Sequence, residues 1–211
     1  MITVETKNLT KKIGNEIILK DVNTKFENKK IYGIVGRNGS GKTMFLKSLC
    51  GFLTPTSGTV LINQKDIYKE EMFSNNVGIS FSNSNYIKDL TGFENLELIA
   101  NIKKQISKED IIDALKKVNL LKEKDKKYGK YSLGMKQKLD IAQAIMEKPE
   151  ILLLDEPFNG LDDESVKLIK KLIIDLKNSG NTIIIATHIK DDIENFCDEV
   201  IRFDMGTIVN K

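Results

Sequence analysis

Residues 31–43 read IYGIVGRNGSGKT, and the rest of the fold is read outward from them. Ile31–Val35 is a five-residue run without a charge, the length and make-up of a strand buried on both faces. GRNGSGKT at 36–43 fits G-x-x-x-x-G-K-[ST], and Met44, Phe45, Leu46 and Leu49 continue it as a helical pattern. That strand–loop–helix order is the context the motif requires. Gly36, Gly39 and Gly41 let the backbone turn so that successive N–H groups face one anionic chain. The helix that follows adds the positive end of its dipole. Lys42 supplies charge for β- and γ-phosphates, and the Thr43 hydroxyl is a ligand for Mg²⁺. Arg37, Asn38, Ser40 and Met44 complete the expected phosphate-binding set. A glycine loop that merely turns the chain would need neither the lysine nor the threonine. The stretch predicts a nucleoside triphosphate site.

Outward from this loop, short β-branched runs alternate with helical patterns. Strands are predicted at Ile2–Thr6, Gly58–Ile62, Val77–Phe81, Ile151–Leu154, Thr182–Ala186 and Glu199–Phe203. Val166, Ile169, Ile173 and Leu176 recur at helical spacing, so 163–178 reads as an amphipathic helix. The alternation argues an α/β domain with a mainly parallel sheet. Between Thr91 and Glu147 the pattern is helical, with capping-box spacing at Thr91 and Glu94 and a cap at Ser107. We read 1–211 as one domain, with an α/β core at 1–84 and 148–211 and a helical insertion at about 85–147. The alternative is further crossover helices of the same sheet.

Composition removes several classes. The 33 basic and 30 acidic residues leave a net charge of +3, so no nucleic-acid surface follows. The lysines at 116–117 and 122–127 have acids mixed among them, as on a solvated face. Cys50 and Cys197 have no CxxC or Cys–His spacing and read as small apolar residues. The start, MITVETKNLTKK, has no apolar core for a signal peptide, and no apolar run approaches the ~20 residues of a membrane span. A soluble intracellular protein is expected.

Two more strand ends carry chemistry. ILLLDE, 151–156, is an apolar run closing on two acids before Pro157. An Asp at a strand end commonly reaches the Mg²⁺ of a phosphate loop, which assigns Asp155 to the metal. Glu156, one residue on, is placed to orient or deprotonate a water. The plainer alternative is a solvated loop start. His188, the only histidine, follows IIIAT at another strand end. By itself it would be a structural hydrogen-bonder; beside the other sites it becomes a γ-phosphate contact.

YSLGMKQKLDIAQAIMEKPEILLLDEPFNGLD, 131–162, resembles the nucleotide-binding domain of ABC transporters. YSLGM resembles the family's LSGGQ signature, ILLLDEP its Walker B motif, NGLD (159–162) its D-loop and Ala186–His188 its switch histidine. The resemblance covers essentially the whole chain. It implies a P-loop NTPase core with antiparallel N-terminal strands, and two such domains pairing head to tail over two ATP molecules. Ser132 and Gly134 would then meet the γ-phosphate held by a partner, with Asp162 across the interface. Glu156, His188 and Lys42 would be catalytic, and Thr43, Asp155 and the residue at 82 would serve Mg²⁺. The implied partners are integral membrane permease subunits and a second copy or paralogous ATPase. The implied location is the inner face of the cell membrane.

Three positions depart from the family pattern. Ile13 stands where an aromatic residue usually stacks on adenine, and Ser82, with Asn83 beside it, where a glutamine is usual. Leu133 replaces the first signature glycine. The form SLGMKQ resembles domains serving bacterial exporters, including peptide-antibiotic export and immunity systems. An ATP-dependent regulator of a membrane protein is the alternative. A DNA- or ribosome-acting ABC protein fits less well, because 42–132 is too short for a long coiled coil and the chain carries a single phosphate loop.

Overall fold

A computed structural model describes residues 3–69, 76–81, 85–189, 193 and 195–210. The expectations for Ile2, Ser82 and Asn83 lie outside the described residues. Strands β1 (Thr3–Ile13), β2 (Glu16–Glu27), β4 (Ser57–Ile62) and β5 (Lys65–Asp66) form an antiparallel sheet in the order β2-β1-β4-β5. Strands β3 (Ile31–Val35), β6 (Val77–Ser80), β7 (Ile151–Asp155), β8 (Thr182–Thr187), β9 (Glu199–Asp204) and β10 (Thr207–Asn210) form the second, in the order β10-β9-β3-β8-β7-β6. Every pairing in the second sheet is parallel except β10 with β9.

All residues of β3, β7 and β8 are buried, and apart from Asp155 at the end of β7 they are uncharged, as strands covered on both faces require. Alternate residues feed two cores. Ile31, Val35, Leu152, Leu154, Ile183 and Ile185 pack beneath helices. Tyr32, Ile34, Ile151, Leu153, Ile184 and Ala186 pack with Phe45 and Leu46 of α1 (Lys42–Leu49) and the small sheet.

Helices α2 (Gly92–Lys103), α3 (Lys108–Lys117) and α4 (Leu133–Met146) lie between β6 and β7, and α5 (Asp163–Asn178) follows β7. Thr91 and Ser107 make reciprocal capping boxes, with Asp110 rather than a Glu closing the second. Helix α4 lies directly on β6: a Cβ added to Gly78 would collide with the Ala144 carbonyl. This helix is thus a crossover between neighbouring parallel strands, while α3 packs on α4 and α2 on α3. Among the described residues no helix is long and apolar enough to cross a membrane.

Three strands, β2, β10 and the two-residue β5, and the length of β1 were not anticipated. β1 runs to Ile13 because a register shift between Thr6 and Leu9, with Asn8 at φ 52°, resets which side chains point inward. That break hides the period-2 signal after Thr6. In β2 only the second half alternates, with Val22, Thr24 and Phe26 buried. β10 is four residues long at the sheet edge.

Candidate nucleotide site

Register fixes the location. Val35 pairs with Thr187 and Asp155 with Ala186, so the ends of β3, β8 and β7 align at one edge of the sheet. Ligand sites of open α/β sheets form at such carboxyl edges. There the loop 36–43 leads into α1. Gly41, its N-cap, has φ 102°, a conformation strained for any residue with a side chain, and no side chain caps the helix. Its first N–H groups therefore remain available to an anion.

Lys42 is 6% exposed, and its Nζ donates to the carbonyls of Gly36 at 2.6 Å and Arg37 at 3.0 Å. Burial pushes its pKa down, against the opposing pull of Glu156 and Asp155. The Thr43 hydroxyl donates to Asp155 Oδ2 at 2.7 Å. Asp155 is 4% exposed, and burial pushes its carboxyl pKa up despite the Thr43 hydrogen bond.

Glu156 is outside the strand, at φ 51°, with its N–H donating to Ala186 O at 2.8 Å. Strand alternation therefore does not set its direction; the left-handed turn does. It aims the carboxylate at the end of β8. Oε1 accepts from His188 N at 3.0 Å and lies 2.8 Å from His188 Nδ1, and Oε2 accepts from Thr187 Oγ1 at 2.9 Å. Around these groups opens a cavity of ≈ 390 Å³, walled by the loop from Asn38 to Met44, by Asp155 and Glu156, and by Ile18.

The structure thus brings Gly36–Met44, Asp155, Glu156 and His188 to one edge. Ser132, Gly134 and Asp162 form a second cluster. Ser132 caps α4 through Met135 N, and Asp162 caps α5 by accepting from Ser165 N at 2.7 Å, a bond that lowers its pKa. A Cβ on Gly134 would lie 2.9 Å from Gly160 O, and the Leu133 side chain covers Gly160. Leu133 is 65% exposed. The walls of the ≈ 390 Å³ cavity include none of these residues.

Sequence reasoning missed three contributors. Ile18 lines the cavity, whereas Ile13 sits at the end of β1, 49% exposed. Gly206, in the β9–β10 turn, donates to Ser40 O at 2.9 Å and accepts from Lys20 N at 2.9 Å, which props the loop from behind. Thr187 was read only as the middle of the Ala186–His188 stretch, with no role of its own. The thiols of Cys50 and Cys197 are pushed up to about 11 and about 12 by burial, as apolar, unreactive positions require.

Known proteins agree with this arrangement. The ABC transporter family model matches residues 19–159. An uncharacterised ABC transporter ATP-binding protein of Bacillus subtilis, YybJ, is 42% identical over 205 residues, 97% of this chain and 94% of that protein. The bacitracin transport ATP-binding protein BcrA of Enterococcus faecalis is 39% identical over 211 residues, 99% of this chain and 68% of its own length. A solved dimeric bacterial ABC transporter cassette superposes with a TM-score of 0.85 at 28% identity, covering 98% of this chain and 97% of that one. With loop, strand-end acids and His188 at one sheet edge, the chain belongs to the ABC transporter family, as a nucleotide-binding, ATP-hydrolysing domain.

Proposed function

We propose that the chain works as one half of a head-to-tail, ATP-driven dimer that energises a separate integral membrane permease from the inner face of the membrane. The permease exports a peptide antibiotic of the kind that names the relative BcrA. One observation carries the dimer. The phosphate-loop cluster and the Ser132–Gly134 cluster are both built, yet the second lies outside the walls of the first's cavity. Ser132 and Gly134 open a helix whose N-terminus suits an anion. A second copy, or a paralogue, supplies that anion as the γ-phosphate of its own ATP.

In this reading the loop N–H groups and Lys42 hold the phosphates, with Lys42 leaving its own loop carbonyls for them. The Thr43 hydroxyl and Asp155 fit Mg²⁺, because both are hard oxygen donors and the carboxylate is buried where a cation would favour its charged form. When bound there, Mg²⁺ neutralises charge on the phosphate oxygens. Glu156 takes the proton of the attacking water, and His188 turns from Glu156 to the γ-phosphate. Across the interface Asp162 faces the opposing loop. Hydrolysis removes the phosphate shared by two chains, and the dimer loosens.

The permease docks on an apolar cavity of ≈ 270 Å³ between the end of α1, β6 and the helices, lined by Cys50, Phe52, Ile79, Ile102, Met146 and Pro149. Phe52 is 65% and Ile102 80% exposed there. Isolating the protein from membranes identifies that partner. The decisive test is Glu156→Gln. It should retain ATP binding, lose ~10²–10⁴-fold in turnover and accumulate as a dimer with ATP and Mg²⁺ on gel filtration. A monomer that turns over at nearly the wild-type rate would sink both the base and the dimer.

A further inference from the structure

The carboxylate of Glu156 is held asymmetrically. On Oε1 sit the backbone N–H of His188 at 3.0 Å and its ring, a side chain 38% exposed and free to turn away. On Oε2 sits the hydroxyl of Thr187, a residue 2% exposed at the last position of β8. The hydrogen-bond direction at Thr187 is set. Ile189 N donates to Oγ1 at 3.2 Å and takes a lone pair, so the single hydroxyl proton goes to Glu156 at 2.9 Å. β8 is paired on both sides, with β3 and β7, which leaves this donor little freedom to move.

Glu156 needs such a hold. Its backbone sits at φ 51°, a strained state for a residue with a side chain, and a glutamate has three side-chain torsions to restrain. We propose that Thr187 is a positioning residue for hydrolysis. Its buried hydroxyl pins Oε2, so that Oε1 faces the attacking water once His188 turns to the γ-phosphate. Oε2 keeps its partner, and Oε1, which still accepts from the His188 N–H, exchanges the imidazole for the water. The inference rests on Glu156 being the base.

Steady-state ATPase assays on the full chain compare Thr187→Val, which keeps the β-branch without the hydroxyl, with Thr187→Ser, which keeps the hydroxyl without the methyl. Thr187→Ala replaces the valine variant if that one does not fold, and thermal melting reports folding of each. Misorienting a catalytic group by about an ångström costs on the order of 10²-fold, so kcat should fall roughly 10- to 100-fold in the valine variant. The KM for ATP should stay within about twofold, and Thr187→Ser should return kcat to within about threefold of wild type. A merely structural role would damage valine and serine variants alike, or move kcat and KM together; either result overturns the proposal. So does a valine variant with wild-type kcat while Glu156→Gln is dead, which leaves the base in place. If Glu156→Gln itself turns over normally, the base reading falls and this inference with it.

Discussion

At the sheet edge, Thr43 donates to Asp155 and Thr187 to Glu156, so both hydrogen bonds cross from one element to another between residues far apart in sequence. At the helix starts, Ser132 and Asp162 are exposed and their oxygens cap the helices they belong to. The first cluster is assembled by parallel register: once Val35 pairs with Thr187 and Asp155 with Ala186, its groups have to meet. The second is assembled by capping, which leaves N-termini open to whatever lies outside the chain. A single short turn joins them. It carries Glu156 at one end and Asp162 at the other, while Gly160 between them touches Leu133 and Gly134. The start of α4 thus packs directly on the turn that begins at Glu156.

The largest expected effect probes the assembled cluster. Lys42→Ala removes a buried charge aimed at the loop and should abolish tight ATP binding by the isolated chain. Turnover should drop by about 10²-fold or more, the scale of losing a positioned electrostatic partner. Calorimetric titration with ATP checks the first claim and phosphate release the second. Retained ATP affinity would mean that the loop N–H groups suffice and that the two clusters differ less than their construction implies.

A smaller effect should come from the capped cluster, and of a different kind. In Gly134→Ala the new methyl would lie 2.9 Å from Gly160 O, a backbone atom, so the 156–161 turn must shift. Overpacking of this sort costs about 1–3 kcal/mol, or roughly 2–10 °C in Tm for a domain of this size. We expect ATP binding by the single chain within about twofold of wild type, and turnover lowered roughly tenfold because the turn carries Glu156. Loss of ATP binding in this variant would break the separation of the two clusters.

The same contrast explains what could be read in the sequence. The phosphate loop was legible because phosphate chemistry constrains eight consecutive residues, and β3, β7 and β8 because strands buried on both faces have uncharged runs. Ile18, Gly206 and Thr187 were not, since each acts through a partner distant in sequence: the loop, Ser40 O and Glu156. β2 was hidden by its non-alternating first half. Ser132, Gly134 and Asp162 were identified through family resemblance. Within one chain Ser132 and Asp162 are helix caps and Gly134 lies in the first turn of α4, and physical reasoning alone goes no further.

The smallest expected effect tests whether Asp162 serves its own helix as well as an interface. Its carboxylate accepts from Ser165 N at 2.7 Å at the positive end of α5, and that bond depresses its pKa. Asn also caps helices well, so Asp162→Asn keeps the hydrogen bond and removes only the charge. The sign follows from linkage. A depressed carboxyl pKa contributes stability above the unfolded value of about 3.9, and that contribution is lost as pH falls through the folded value. Wild type should therefore melt slightly above Asp162→Asn at pH 7, by on the order of 1 °C, the scale of a screened charge at a helix terminus. Once pH falls below the depressed folded value, Asp162 is as neutral as the asparagine, and the gap should close. Scanning calorimetry at the two pH values measures it. A gap that persists in acid would show that Asn caps α5 less well than Asp even when both are uncharged, so the charge would not be what Asp162 gives its helix. Equal melting at both pH values would show that the charge adds nothing to the cap, and leave the partner's phosphate loop as the charge's remaining use.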